Sequence, residues 1–177
     1  MRFITVLLIT FFISFNVHAD GNGEAEKPFN IGIGLYDNTI TYENSIIDDE
    51  LSGTSISIAY AISDQVGLRA TFFSLEHDDV SAIDSDGYDL VAYIGSGLAS
   101  NGFKAYIGGG IYKEEWKLGP IRETFSGLQL NGGLGYSWES VSVDVILGLR
   151  DAGDYEDFVN AGTAVAVSSM FLVSARF

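Results

Sequence analysis

Residues Thr124 to Trp138, TFSGLQLNGGLGYSW, separate by parity into two chemistries. Leu128, Leu130, Gly132, Leu134, Tyr136 and Trp138 fall on one side, and Gly127, Gln129, Asn131, Gly133, Gly135 and Ser137 on the other. A β-strand sends successive side chains to opposite faces, so a period of two predicts a ribbon that is oily on one face and small and polar on the other. A ribbon of that kind must bury one face and hide both edges.

The same split recurs along the chain. In Val141–Arg150, Val141, Val143, Val145, Leu147 and Leu149 oppose Ser142, Asp144, Ile146, Gly148 and Arg150. In FKAYIGGGIYK, Phe103, Ala105, Ile107 and Ile111 oppose Lys104, Tyr106, Gly108, Gly110 and Tyr112. Phe29–Tyr36, Thr54–Ile62, Val66–Leu75 and Tyr88–Leu98 follow the rule less cleanly, and Ala164–Phe177 completes a set of eight strands. No segment carries a helical period.

Connections alternate in length. SDQ after Ile62, SNG around Asn101 and ES after Trp138 are tight turns. Between them lie long stretches, Asp37–Ser52, His77–Gly87, Glu114–Glu123 and Asp151–Gly162, which with their shoulders hold most of the 24 acidic residues. That rhythm predicts an up-and-down meander with one acidic rim. It also reconciles a net charge of −15 with a mean hydropathy of +0.21, because the two characters are kept apart in space.

Arg2, the apolar run Ile4–Phe15 and the small-residue pattern Val17-His18-Ala19 have the layout of a secretory signal peptide, predicting cleavage after Ala19. The domain plan is then a signal peptide over 1–19, a flexible leader over 20–28 and a barrel over 29–177. The chain has no cysteine, so neither disulfide nor thiolate enters the account. Its acidity makes nucleic acid and broadly anionic surfaces poor partners.

An even number of amphipathic antiparallel strands hides its edges by closing, and in hydrocarbon only closure satisfies every backbone donor and acceptor. Glycine decides which face points inward: Gly108, Gly110, Gly127, Gly133, Gly135 and Gly148 sit on the polar face, where a narrow interior has least room. The expected fold is an all-β, eight-stranded antiparallel up-and-down transmembrane β-barrel.

With these alternating strands, acidic long connections and a last strand ending in Phe177, the chain resembles the small Gram-negative outer-membrane barrels of the OmpA/opacity-protein type. The resemblance covers Phe29 to Phe177 and is one of pattern. It implies residence in the cell outer membrane, with short turns in the periplasm and acidic loops outside. It also implies that Phe171, Val173 and Phe177 are read by the barrel-assembly machinery. Outer-membrane lipid and lipopolysaccharide are the implied surroundings, and a host or environmental surface ligand could meet the acidic loops.

An eight-stranded lumen is just wide enough to be filled by side chains. The expected polar network comprises Arg69, Asp89, Lys104, Gln129, Asn131, Asp144, Arg150 and Arg176, with Asn30, Tyr36, Tyr93 and Tyr106 also inward. Buried charges must pair, so Asp89 and Asp144 are expected beside one or more of Arg69, Lys104, Arg150 and Arg176. A filled plug is favoured over a narrow ion path.

No catalytic, cofactor or metal site is expected. His77 is read as an exposed loop histidine, with a Ser–His lipid hydrolase as the competing reading. Asp84 and Asp86 before Gly87 hint at a calcium loop, but Ala82 and Tyr93 stand where EF-hand spacing needs acids. The glycine runs lie inside strands with no helix following, which excludes a phosphate loop. Tyr60, Tyr88, Tyr112, Tyr136, Trp138 and Phe177 are expected in interfacial aromatic girdles. Function is then structural or a surface interaction. The adhesin or immune-evasion reading would use apolar loop tips, for which Ile46, Ile47, Trp116, Ile121, Tyr155 and Phe158 are candidates. A soluble exported barrel with a ligand in its core is the remaining alternative.

Overall fold

The computed structural model describes residues 27–43, 48–80, 82–159 and 163–177. The predicted signal peptide and all but the last two residues of the predicted leader fall outside them. Eight strands follow in chain order: β1 (Phe29–Tyr42), β2 (Asp49–Ala61), β3 (Val66–His77), β4 (Ile83–Ser96), β5 (Gly102–Leu118), β6 (Ile121–Ser137), β7 (Val141–Arg150) and β8 (Ala164–Arg176). One short helix, α1 (Gly153–Val159), stands between the last two strands. Each strand pairs antiparallel with its sequence neighbours, and β1 pairs with β8 from Asn30↔Arg176 to Tyr42↔Ala164, closing the barrel. Phe29 and Phe177 exchange backbone hydrogen bonds of 3.2 and 2.9 Å across that seam, which fixes the end of the chain.

Burial follows the pleat. Along β8, Ala164, Ala166, Ser168, Met170, Leu172, Ser174 and Arg176 are buried, while Val165, Val167, Phe171, Val173 and Ala175 are exposed. The exposed set is the oily one: Ile33 is 71% exposed, Leu128 and Leu130 68% and Ile107 66%. In water such a continuous apolar band would be far larger than the few hundred Å² that soluble proteins leave uncovered. In hydrocarbon it is the face an antiparallel barrel presents.

Aromatic rings mark the edges of that band. At the short-turn end Phe29 and Tyr60 lie 4.7 Å apart between centroids, Tyr136 and Trp138 likewise, and Phe177 is exposed beside them. At the other end Phe72 and Tyr88 lie 6.4 Å apart. Between the two levels the outward positions carry no charge. Tyr112 is a correction to the expected girdle: it points inward and is buried, because its parity on β5 is that of Lys104 and Tyr106.

The strands run further than the hydropathy pattern predicts, so three expected loops shrink. β1 continues to Tyr42 and β2 starts at Asp49, β4 starts at Ile83, and β5 and β6 meet in a two-residue turn, Gly119-Pro120. Gly119 adopts φ +59°, which the first central residue of a II′ hairpin requires. The fourth long connection contains α1, where no helix was expected.

Inward glycines make room for the rings of the lumen. A Cβ at Gly133 would lie 2.3 Å from the Tyr106 ring, one at Gly67 2.6 Å from the Tyr93 ring, and one at Gly87 2.5 Å from the Phe73 ring. Each ring thus fills the space that a side chain at a glycine of the adjoining strand would need.

Candidate functional site

The lumen holds two layers of charge. Toward the long connections, Arg150 at the end of β7 donates to Glu114 Oε2 through Nη1 (2.8 Å) and to Asp89 Oδ1 through Nη2 (2.9 Å). Its side chain and that of Glu114 are fully enclosed. Tyr36 donates to Asp89 (2.6 Å) and accepts from Arg150 (2.6 Å). The guanidinium carbon stands 4.6 Å from the centre of the Tyr112 ring and 5.2 Å from that of Phe73. One cation is therefore shared by two carboxylates and flanked by aromatic rings.

Glu114 accepts two further hydrogen bonds at Oε1, from Trp116 Nε1 (2.7 Å) and the Tyr155 hydroxyl (2.8 Å). Tyr155 belongs to α1, and it stacks on Phe125 at 4.5 Å. Tyr112 donates to the Asp151 carbonyl at 2.5 Å. α1 thus lies over the mouth and is held there by a buried carboxylate. Glu114 was expected in a loop; it is a lumen residue, and it supplies the anion that the sequence reading of the network lacked. The signal was present in the parity Lys104, Tyr106, Tyr112, Glu114, Trp116, which continues past the apolar belt without a break.

The second layer lies toward the short turns. Asp144 accepts from Lys104 (2.8 Å) and from the Tyr106 hydroxyl (2.8 Å), with Arg69 Nη2 at 3.9 Å. Arg69 also donates to the Tyr106 hydroxyl (3.1 Å) and faces the Tyr93 and Tyr106 rings at 5.3 and 5.2 Å. Gln129 donates to the Ile111 carbonyl (3.3 Å), and Asn131 lines the gap between layers. One cavity of about 20 Å³ remains there, room for roughly one water, and another of about 10 Å³ lies on the short-turn side of the second layer, beside Asn30, Leu98 and Lys104. Arg176 joins neither layer; it donates to the carbonyls of Ala99, Ser100 and Trp138 and to Asn101, sealing the short-turn end.

At that end Asp64, in the β2–β3 turn, accepts from the backbone N–H of Gly97 (3.1 Å), Ala99 (3.2 Å) and Ser100 (3.1 Å). Burial opposes its ionisation, but the Ser100 hydroxyl and the three amides outweigh it and hold the carboxyl below the usual carboxylate range.

His77 is the second correction. It ends β3 at inward parity and is 5% exposed, with Nε2 3.2 Å from Asp49 Oδ1. Its Nδ1 accepts from the amides of Asp79 and Val80, both at 3.2 Å, so the ring is committed to holding the start of the β3–β4 connection. Among the described residues no three His, Asp or Glu converge as metal ligands. Asp86 instead pairs with Lys117 at 2.5 Å. Of the candidate loop tips, Trp116 and Tyr155 are buried in the mouth, Ile121 and Phe158 are exposed, and Ile46 and Ile47 lie outside the described residues. Phe171, Val173 and Phe177 line the outer face of β8.

A closed eight-stranded meander with an apolar outside, a polar filled inside and charge gathered at one rim can be compared with solved proteins. Neisserial surface protein A superposes with a TM-score of 0.60 at 17% identity, over 87% of this chain and 100% of that one. The attachment invasion locus protein Ail of Yersinia pestis gives 0.59 at 17% identity, over 86% and 100%. The N-terminal β-barrel domain of Pseudomonas aeruginosa OprF gives 0.53 at 17% identity, over 82% and 97%. The chain has the fold of a small outer-membrane barrel. No protein-family model matches it, and no curated protein does.

Proposed function

We propose that this protein is an integral outer-membrane barrel without enzymatic activity, exported by residues 1–19 and acting through the surface its acidic rim presents or through the membrane it braces. The observation that carries the reading is the inversion of the barrel, with Ile33, Ile107, Leu128 and Leu130 facing outward and Arg150, Glu114, Asp89 and Asp144 sealed within. The carboxylates of the interior pair with its cations, and neither charge layer offers a nucleophile and base around an open cavity. Phe171, Val173 and Phe177 would be the segment read by the assembly machinery.

Membrane fractionation, with electrophoresis before and after boiling, tests this. Recovery in the outer membrane with a heat-dependent mobility shift is expected; recovery in the soluble periplasm would overturn it.

A second reading, surface recognition, is favoured by Leu118 and Ile121, which flank the Gly119-Pro120 turn at 44% and 61% exposure. Ail has been solved with the heparin analogue sucrose octasulfate. Here a polyanion would approach a rim carrying Glu50, Glu76, Asp78, Asp79, Asp84, Asp154 and Asp157, so a neutral or basic partner fits better. Retention of the protein on a heparin column at low salt would count against this choice of partner.

A further inference from the structure

The outer wall is not evenly covered. Ala92 on β4 pairs with Gly109 on β5, and Gly109 pairs with Leu130 on β6, while Ile107 pairs with Gly132. All face outward, and no neighbouring atom lies within 4 Å of a Cβ built at Gly132. The result is a shallow, open hollow of about 850 Å³ walled by Ile94, Ile107, Leu130, Leu147 and Leu149. A second hollow of about 570 Å³ shares Ile94, Ile107, Gly132 and Leu147 with it and continues it toward Leu134 and Val145. Together they form one apolar trough.

The outward face of β5 above the trough reads Gly109, Ile111, Lys113. Lys113 pairs across with Tyr88 of β4 and Ser126 of β6, directly above the row Leu90, Ile111, Leu128 where the apolar belt ends. Four residues of strand separate Lys113 from Gly109, a rise of about 13 Å. The neighbouring cations are occupied: Lys117 pairs with Asp86 and Glu115, and Arg122 with Glu115. Lys113 pairs with no carboxylate among the described residues. It is thus an uncommitted cation at the interface, beside an aromatic ring and a hydroxyl, with an apolar trough beneath it.

We propose that this face binds one phosphorylated lipid of the outer leaflet, of the lipid A class, its phosphate on Lys113 with Ser126 beside it and an acyl chain in the Gly109–Gly132 trough. The chain's acidity excludes broad attraction to anionic surfaces, and a single local cation over a fitted trough needs none. The proposal rests on the outer-membrane reading above.

Native mass spectrometry of the detergent-purified full barrel, equilibrated with lipid A or with phosphatidylcholine, tests it. One lipid A should be retained in preference to phosphatidylcholine. Lys113→Gln should lower that retention about fivefold, the weight of one basic residue at an anionic surface. Gly132→Leu, which fills the trough and leaves Lys113 in place, should lower it as well. Inorganic phosphate in excess should lower retention no further than Lys113→Gln does, because it occupies the cation and leaves the trough to the chain; abolition of retention by phosphate would reduce the site to a bare anion contact and overturn the lipid assignment. Equal retention by wild type and Lys113→Gln, in barrels that keep their heat-dependent mobility, would overturn the site alone. A protein that shows no heat-dependent mobility and enters no detergent micelle would overturn the membrane reading and the site together.

Discussion

Arg150 holds two carboxylates while fully enclosed, which makes it an exacting position. Breaking a buried pair by removing one partner costs about 3–5 kcal/mol, because the other charge stays behind. Arg150→Met strands both Asp89 and Glu114, so it is expected to lose at least that much in urea unfolding in micelles, read by the heat-dependent band. Glu114→Gln leaves one cation with one anion and keeps an acceptor for Trp116 and Tyr155; its loss is expected at roughly 1–3 kcal/mol. Equal losses for the two variants would contradict the shared-cation arrangement. Gly133 is exacting for space instead of charge. Gly133→Val drives a branched side chain into a Tyr106 ring that cannot retreat without releasing Asp144 and Arg69, at about 1–3 kcal/mol. Adding Tyr106→Ala should recover part of that loss, and strictly additive losses would show that ring and glycine do not share the space.

At the scale of elements, the β2–β3 turn is clasped to the β4–β5 turn by one carboxylate. Asp64 is held below its unfolded value of 3.8 by its hydrogen bonds, so its contribution is fully present above that value and is lost as pH falls through the lower folded one. Amide exchange at Gly97, Ala99 and Ser100, corrected for its intrinsic pH dependence, should keep its protection near neutral pH and lose it only as the pH falls below the ordinary carboxylate range. Asp64→Asn should abolish that pH dependence; an unchanged profile in the variant would show that the clasp is not what titrates. These short turns, like the strand cores, were legible in the sequence, since Ser63–Gln65 and Glu139-Ser140 interrupt clean alternation. Strand ends at the opposite rim were not. Beyond the belt the outward face meets water and turns polar, so hydropathy stops alternating although the pleat does not. Glu114 and Glu115 look alike in sequence, yet one is enclosed in the lumen and the other is half-exposed and paired with Arg122. α1 was hidden for a related reason: Tyr155, its buried anchor among the described side chains, finds Glu114 and Phe125 across the mouth, and no local period announces a contact of that range.

For the whole molecule, the two charge layers decide whether the barrel conducts. The cavity between the layers measures about 20 Å³, room for roughly one water, and the one on the short-turn side of the second layer about 10 Å³. An ion would have to shed its hydration and part Arg150 from Glu114 or Lys104 from Asp144, against partners already satisfied at 2.8 Å. A barrel of eight strands offers no wider path around them. Purified protein in planar bilayers is therefore expected to show no discrete current steps under applied voltage. Tyr155→Ala, which unfastens α1 from Glu114, should leave that silence intact because the layer of Arg69, Lys104 and Asp144 lies below it undisturbed. Discrete steps in the wild type would mean that the layers part spontaneously and the interior is a path. Steps appearing only in Tyr155→Ala would mean that the mouth, and not the second layer, is the seal. Silence in both is the outcome the geometry requires, and it would direct attention from the lumen to the rim and the outer wall.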